Sequence, residues 1–147
     1  MTINRFIEGA EPDSKGRDIE TVLSFCDSDI ENIHDFIQWI FPLREASRAV
    51  FNAPVLSDED VSEISKSETS KSNIIRASKW YLGFLGRNKH WVAKYDHNHL
   101  RITRVIKSIR LLVGNQKAEN FRESVFEMLG EEKSKIDPKA VTFWLDA

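Results

Sequence analysis

Between Asp96 and Val113 the apolar residues recur three and four positions apart, at Ile102, Val105, Ile106, Ile109, Leu112 and Val113. At 100° per residue they fall within an arc of about 120°. A stripe of that width suits a helix with one face in a core. It does not suit a strand, whose sides alternate at every second residue. The period returns along the chain. Ile30, Ile33, Ile37, Ile40 and Phe41 line one face of residues 28–41. There Ser28 and Glu31 have the spacing of a capping box, and Pro42 is the stop. Ile74, Ala77, Tyr81, Phe84 and Leu85 repeat the pattern before Gly86, and Phe121, Val125, Met128 and Leu129 repeat it before Gly130. Strand-like alternation is absent over any useful length. The expected fold is all-α, a single globular bundle of about six or seven helices.

Shorter helices are expected at Ile19, Val22 and Leu23, after Ser57 with Val61 and Ile64, and after Asp137, where Pro138 takes the first helical position. The connections follow by composition. The first seventeen residues hold Gly9, Pro12 and Gly16 and read as an irregular arm. Pro42 to Pro54 reads as extended chain, and "SKSETSKS" as a loop. No internal repeat is visible. With 147 residues the chain is expected to form one domain, 1–147. At that size folding buries roughly 68–70% of the unfolded surface, enough for a core. No run approaches the ~18 apolar residues of a membrane span. The start of the chain has no apolar signal region. The one cysteine, Cys26, excludes an internal disulfide and a cysteine-rich zinc site. A cytoplasmic location is expected.

The net formal charge is -2, but it is unevenly spread. Residues 1–70 hold 6 Lys/Arg and 15 Asp/Glu, whereas residues 71–110 hold 10 Lys/Arg and one acid, Asp96. The two segments therefore carry -9 and +9. Either they attract each other within one fold, or the basic one faces an anionic partner. The basic segment includes Arg101, Arg104, Lys107 and Arg110, which sweep round the side of the 96–113 helix opposite its apolar arc. The expectation is that Arg101 and Arg104 turn toward acids of the first half, while Lys107 and Arg110 stay in solvent. A nucleic-acid interface is the alternative, because Trp91 and Tyr95 interleave with the cations. The acidic balance of the whole chain weighs against it.

His34 and Gln38 flank the apolar face of 28–41, and His97 and Arg101 flank that of 96–113. Such margins line a cleft when two helices pack together. His34 beside Asp35 has the look of a metal-dependent phosphohydrolase pair, but that chemistry needs further His and Asp ligands. The pair His97 and His99 points to different faces of a helix. A metal hydrolase is the least favoured reading. No cofactor is expected, and no phosphate-cradling glycine loop is present.

Three blocks, "HDFIQWIFPL" (34–43), "NAPVL" (52–56) and "HNHLRITRVIKSIRLL" (97–112), resemble the conserved domain of the opioid growth factor receptor family. "EGAEPDSKGRDIETVLSFCDSDIENIHDFIQWIF" extends the likeness, which covers roughly residues 5–130. Vertebrate members of that family bind an enkephalin peptide and restrain cell growth from a perinuclear location. The resemblance thus implies a module that binds an unknown peptide or protein, rather than an enzyme. His34, Asp35, Gln38, Trp39, Pro42, His97, Asn98, Arg101 and Arg104 match the family pattern, which assigns them no roles. The candidate binding residues are His34, Asp35, Gln38, His97, Asn98, Arg101 and Arg104. None is expected to be catalytic or to ligate a metal.

Overall fold

The computed structural model describes residues 2–147. Its described residues form nine α-helices and no β-strand, with a lone bridge between Leu43 and Val55. The chain is all-α, in more and shorter pieces than expected.

The first surplus helix lies in the supposed irregular arm. Helix α1 (Ile3–Glu8) starts at Thr2, whose hydroxyl accepts from the Arg5 N–H, and ends at Gly9 with φ 86°. A side chain would be strained at that φ, so glycine closes the helix. Ile3, Phe6 and Ile7 are buried, a three-and-four spacing too short to stand out before Gly9 and Pro12. Helix α2 (Ile19–Leu23) follows as expected, with the Asp18 carboxylate accepting from the Thr21 N–H at 2.8 Å.

The second surplus helix comes from a break. Residues 28–41 do not form one helix but two, α3 (Asp27–Asn32) and α4 (Ile37–Ile40). Cys26 rather than Ser28 sits at the N-cap of α3, and Ile33 is extended. A distant residue fills the gap. The Arg101 guanidinium enters the gap and donates to the Ile30 carbonyl at 2.6 Å and the Ile33 carbonyl at 3.0 Å. It takes up carbonyls that the end of a helix leaves without partners.

Helix α5 (Asp58–Lys66) opens with a capping box in which Ser57 and Asp60 bond reciprocally. The serine-rich stretch after it is not a loop. Ser67 alone separates α5 from α6 (Glu68–Arg87), and its hydroxyl caps the new helix at the Ser70 N–H. Helix α7 (His97–Leu112) is capped by Asp96, and α8 (Asn115–Leu129) ends at Gly130. Helix α9 (Pro138–Asp146) has the Asp137 cap and first-turn proline read from the sequence.

Helix α7 is central and packs against α5, α6, α8 and α9. Its inner face is the arc read from the sequence, with Ile102, Val105, Ile106, Ile109 and Leu112 at most 1% exposed. Burying each such side chain contributes about 1.5–3 kcal/mol. Trp91, Trp144, Tyr81 and Phe84 fill the space around it. Their polar atoms are provided for, since the Trp91 indole donates to the Leu85 carbonyl at 2.9 Å and the Trp144 indole to the His99 carbonyl at 3.0 Å.

The acidic and basic segments do pair. Arg76 meets Glu20, Arg87 meets Asp27 at 2.8 Å, and Lys107 meets Glu45 at 3.3 Å. Arg101 and Arg104 do not turn to acids of the first half but inward to backbone carbonyls: Arg104 Nε donates to the Phe41 carbonyl at 2.8 Å. Arg110 is not left in solvent. It reaches Glu119 at 2.8 Å and the Ala147 carbonyl oxygen at 2.9 Å.

Candidate functional site

One wall of the candidate cleft is the outward edge of α7. Leu100, Thr103, Arg104 and Lys107 follow at three and four residues, on the side of the helix opposite its buried arc. The opposite wall is α4 and its approach, with His34, Ile37 and Gln38. Pro42 ends α4 and sends the chain back across the cleft mouth through Leu43 and residues 45–49. The Ser108 hydroxyl holds that turn by donating to the Pro42 carbonyl at 2.9 Å. Phe143 of α9 closes the side. The cleft is open to one side and has a volume of about 640 Å³, in the range of sites that hold small ligands.

His34, Gln38, His97, Arg101 and Arg104 all line this space. The His34 and His97 rings meet edge to face with centroids 5.7 Å apart. Arg101 is 6% exposed and its guanidinium also lies over the Phe36 ring, 5.5 Å from the centroid. Its hydrogen bonds go to the α3–α4 break, so it shapes the wall.

The structure places the other two candidates elsewhere. Asp35 turns away and accepts from Arg17 at 2.9 Å, with Lys15 at 3.7 Å. Arg17 is held in turn by Asp13, which is fully buried. Asn98 is fully buried behind the cleft. Its Oδ1 accepts from the Tyr81 hydroxyl at 2.7 Å, and its amide donates to Glu31 and Asp96 at 3.0 and 2.9 Å. Both are parts of the scaffold. Glu31 joins the network to the histidines, with His97 at 3.0 Å and His90 at 2.6 Å. Burial pushes its carboxyl up, but the Asn98 hydrogen bond and the two imidazoles outweigh that and hold it below the ordinary range. Among the described residues, no three His, Cys, Asp or Glu side chains are grouped to hold a metal ion.

Two features of the cleft decide its chemistry. The first is polar atoms without partners. Among the described residues four buried side-chain polar atoms have none, and two of them, Gln38 Oε1 and Arg104 Nη2, belong to residues that line this cleft. Gln38 is 4% exposed. Burial also pulls the Arg104 guanidinium down to about 10, with the Glu45 carboxylate opposing the shift, so it stays charged at neutral pH. The second is sign. Arg48, Arg101, Arg104 and Lys107 line the cleft with a single acid, Glu45. Leu100 and Phe143 add exposed apolar surface at the rim, 72% and 57% accessible. Sequence reasoning missed both. Leu100 was findable, being an apolar residue off the arc of its own helix; Phe143 reaches the cleft only through tertiary packing.

A second cavity, of about 500 Å³, lies along α6 and is bounded by Glu68, Lys71, Arg76, Lys79, Val113 and Lys117 among others. It holds no unpartnered buried polar atom.

Residues 11–91 match the model of the opioid growth factor receptor (OGFr) conserved region. The chain belongs to the OGFr conserved-region family. The OGFr-like protein 1 of Xenopus tropicalis is 31% identical over 138 residues, covering 80% of this chain and 26% of that protein. The Mus musculus opioid growth factor receptor is 33% identical over 98 residues, covering 54% of this chain and 15% of its own length. The chain thus spans about a quarter or less of these relatives. No solved structure matches it. The matched OGFr region contains the α4 wall, His34 and Gln38, while Arg104 and Phe143 lie beyond it. No helix among the described residues is long and apolar enough to cross a membrane.

Proposed function

We propose that residues 1–147 work as one unit, a cytoplasmic module that binds a peptide or protein segment in the cleft between α4 and α7. The observation that carries this reading is the cleft itself, with cationic and apolar walls and two buried polar atoms still without partners. The relatives are named receptors of an opioid growth factor, which supports binding over catalysis. His34, Gln38, His97, Arg101 and Arg104 form the site, and Leu100 and Phe143 its apolar rim.

The test is retention of a randomised peptide library on the immobilised protein, with Leu100→Glu and Phe143→Ser as controls. Both side chains are largely exposed, so folding stability should change by about 0.5 kcal/mol or less. Peptides should be retained by the wild type and lost by both variants. Retention unaffected by either substitution would remove the cleft from consideration.

Nucleic-acid binding is the second reading, and the α6 cavity favours it over the α7 stripe. Of the stripe, Arg101 and Arg104 donate to backbone carbonyls and the remaining Arg104 Nη2 is buried, while Lys107 and Arg110 are paired with acids. Lys79 and Lys117 remain to meet phosphate.

A further inference from the structure

The groove along α6 carries one short pattern twice. On α6, Lys71, Ile75 and Lys79 stand four residues apart, so they follow along one face as cation, apolar, cation. From the neighbouring elements Val113, just past α7, and Lys117 of α8 bring an apolar residue and a cation, again four apart. Ile75 and Val113 are half-buried and packed against the core, whereas Lys79 and Lys117 are exposed. The groove therefore has an apolar floor beneath a cationic rim. Arg76 adds to that rim, and Glu68 is the single acid among the described lining residues.

The rim is open to a partner. Lys79 and Lys117 have no ion pair or hydrogen-bonded side-chain partner among the described residues. Lys71 meets Glu68 at 2.9 Å, but that glutamate side chain is 89% exposed, and Arg76 meets Glu20 at the surface. Exposed pairs contribute little, so a partner's acids compete readily for both cations. An occupant must bring negative groups to the rim and something apolar to the floor between them. Nucleic acid supplies the first alone. Among the described residues no aromatic side chain lines the groove for a base to stack on, and phosphates at the rim leave Ile75 and Val113 uncovered. A flat anionic surface does no better, since the apolar floor is recessed below the cations.

We propose that the α6 groove binds an acidic peptide segment whose apolar side chains are flanked by Asp or Glu. An apolar side chain covers Ile75 and Val113, and the acids on either side of it meet the rim lysines. The groove shares no lining residue with the α4–α7 cleft, so this site stands independently of the reading of that cleft.

The experiment uses the full chain and a short fluorescent peptide that interleaves Leu with Asp and Glu, read by fluorescence polarisation at low and high salt. One matched peptide carries amides in place of the acids, and another carries Ser in place of Leu. The parent peptide should bind, more weakly as salt rises. Each matched peptide should bind about tenfold more weakly or worse. Lys79→Glu and Lys117→Glu should each cost about 5–10-fold. Both side chains are exposed, so the thermal melts of the variants should stay near wild type. Lys139→Glu makes the same charge change on α9, outside the lining of either cavity, and should leave binding unchanged. Equal binding of the Ser and Leu peptides would overturn the proposal, because the floor would then have no part in it. An oligonucleotide of matched charge that binds more tightly than the peptide, and is weakened by Lys79→Glu, would overturn it in favour of nucleic acid. Peptide binding lost in Leu100→Glu but kept in Lys79→Glu would move the peptide to the α4–α7 cleft and overturn it too. Absence of binding at millimolar peptide and low salt would overturn it outright.

Discussion

Arg101→Met tests the link between the central helix and the broken helix that forms the opposite wall. Methionine keeps an apolar stem of similar length and removes the guanidinium. The variant loses hydrogen bonds to the Ile30 and Ile33 carbonyls and the stacking over Phe36. A hydrogen bond from a charged donor contributes about 1.5–3 kcal/mol, and a cation over a ring about 0.5–2 kcal/mol. Against that, a charge no longer has to be kept at 6% exposure, and the relief of that desolvation recovers several kcal/mol. The net loss expected is about 2–4 kcal/mol. For a domain this long each kcal/mol is worth about 2–4 °C, so the melting midpoint should fall by roughly 5–15 °C. Urea unfolding followed by circular dichroism measures both midpoint and slope. Arg101→Lys, which can reach one carbonyl but not both, should fall between the two. If Arg101→Met unfolds within about 0.5 kcal/mol of wild type, the guanidinium is not what holds the α3–α4 break open. The break would then have to be set by residues 32–36 themselves.

Three further outcomes are expected. The depressed pKa of Glu31 means its ionised form stabilises the fold above its ordinary value of 4.5, and that this contribution is lost as pH falls through the lower folded-state value. Wild type should therefore lose more stability on acidification from about pH 4.5 downward than Glu31→Gln, whose His90, His97 and Asn98 partners face an amide instead; parallel acid melts of the two proteins would contradict this. Ser57→Ala removes one half of the α5 capping box and should cost about 0.5–2 kcal/mol in chemical denaturation, with no effect on peptide retention. If nucleic acid is the ligand, mobility shifts of single- and double-stranded DNA and RNA at low salt should appear in wild type and weaken in Lys79→Glu, while Lys107→Glu leaves them unchanged; no shift at low salt ends that reading.

How much of the molecule was legible in the sequence depended on whether the cause was local. The α7 arc needed only its own period and the Asp96 cap, and α9 only Asp137 and Pro138. The α3–α4 break has no local sign, because 28–41 is patterned as one helix. The guanidinium that fills it stands 68 and 71 residues further on, and no window along the chain contains it. Helix α1 was hidden for a different reason: six residues give too few repeats to count, and it is tertiary burial of Phe6 and Ile7 that makes the helix worth forming. The serine run misled because polar residues read as loop, whereas Ser67 is there to start α6. In the cleft the same division holds. Margin positions on two apolar faces pointed to His34, Gln38, His97 and Arg101, and all four line one cleft, although His34 sits in the break between α3 and α4 rather than on a helix margin. The wheel put Arg104 off the apolar arc, and the charge balance pointed it at an acid. Neither could foresee its long stem carrying Nε back to the Phe41 carbonyl. That inward turn is what strands Nη2 without a partner. A residue that helical periodicity kept off the core thereby ends with one guanidinium nitrogen buried and unpartnered.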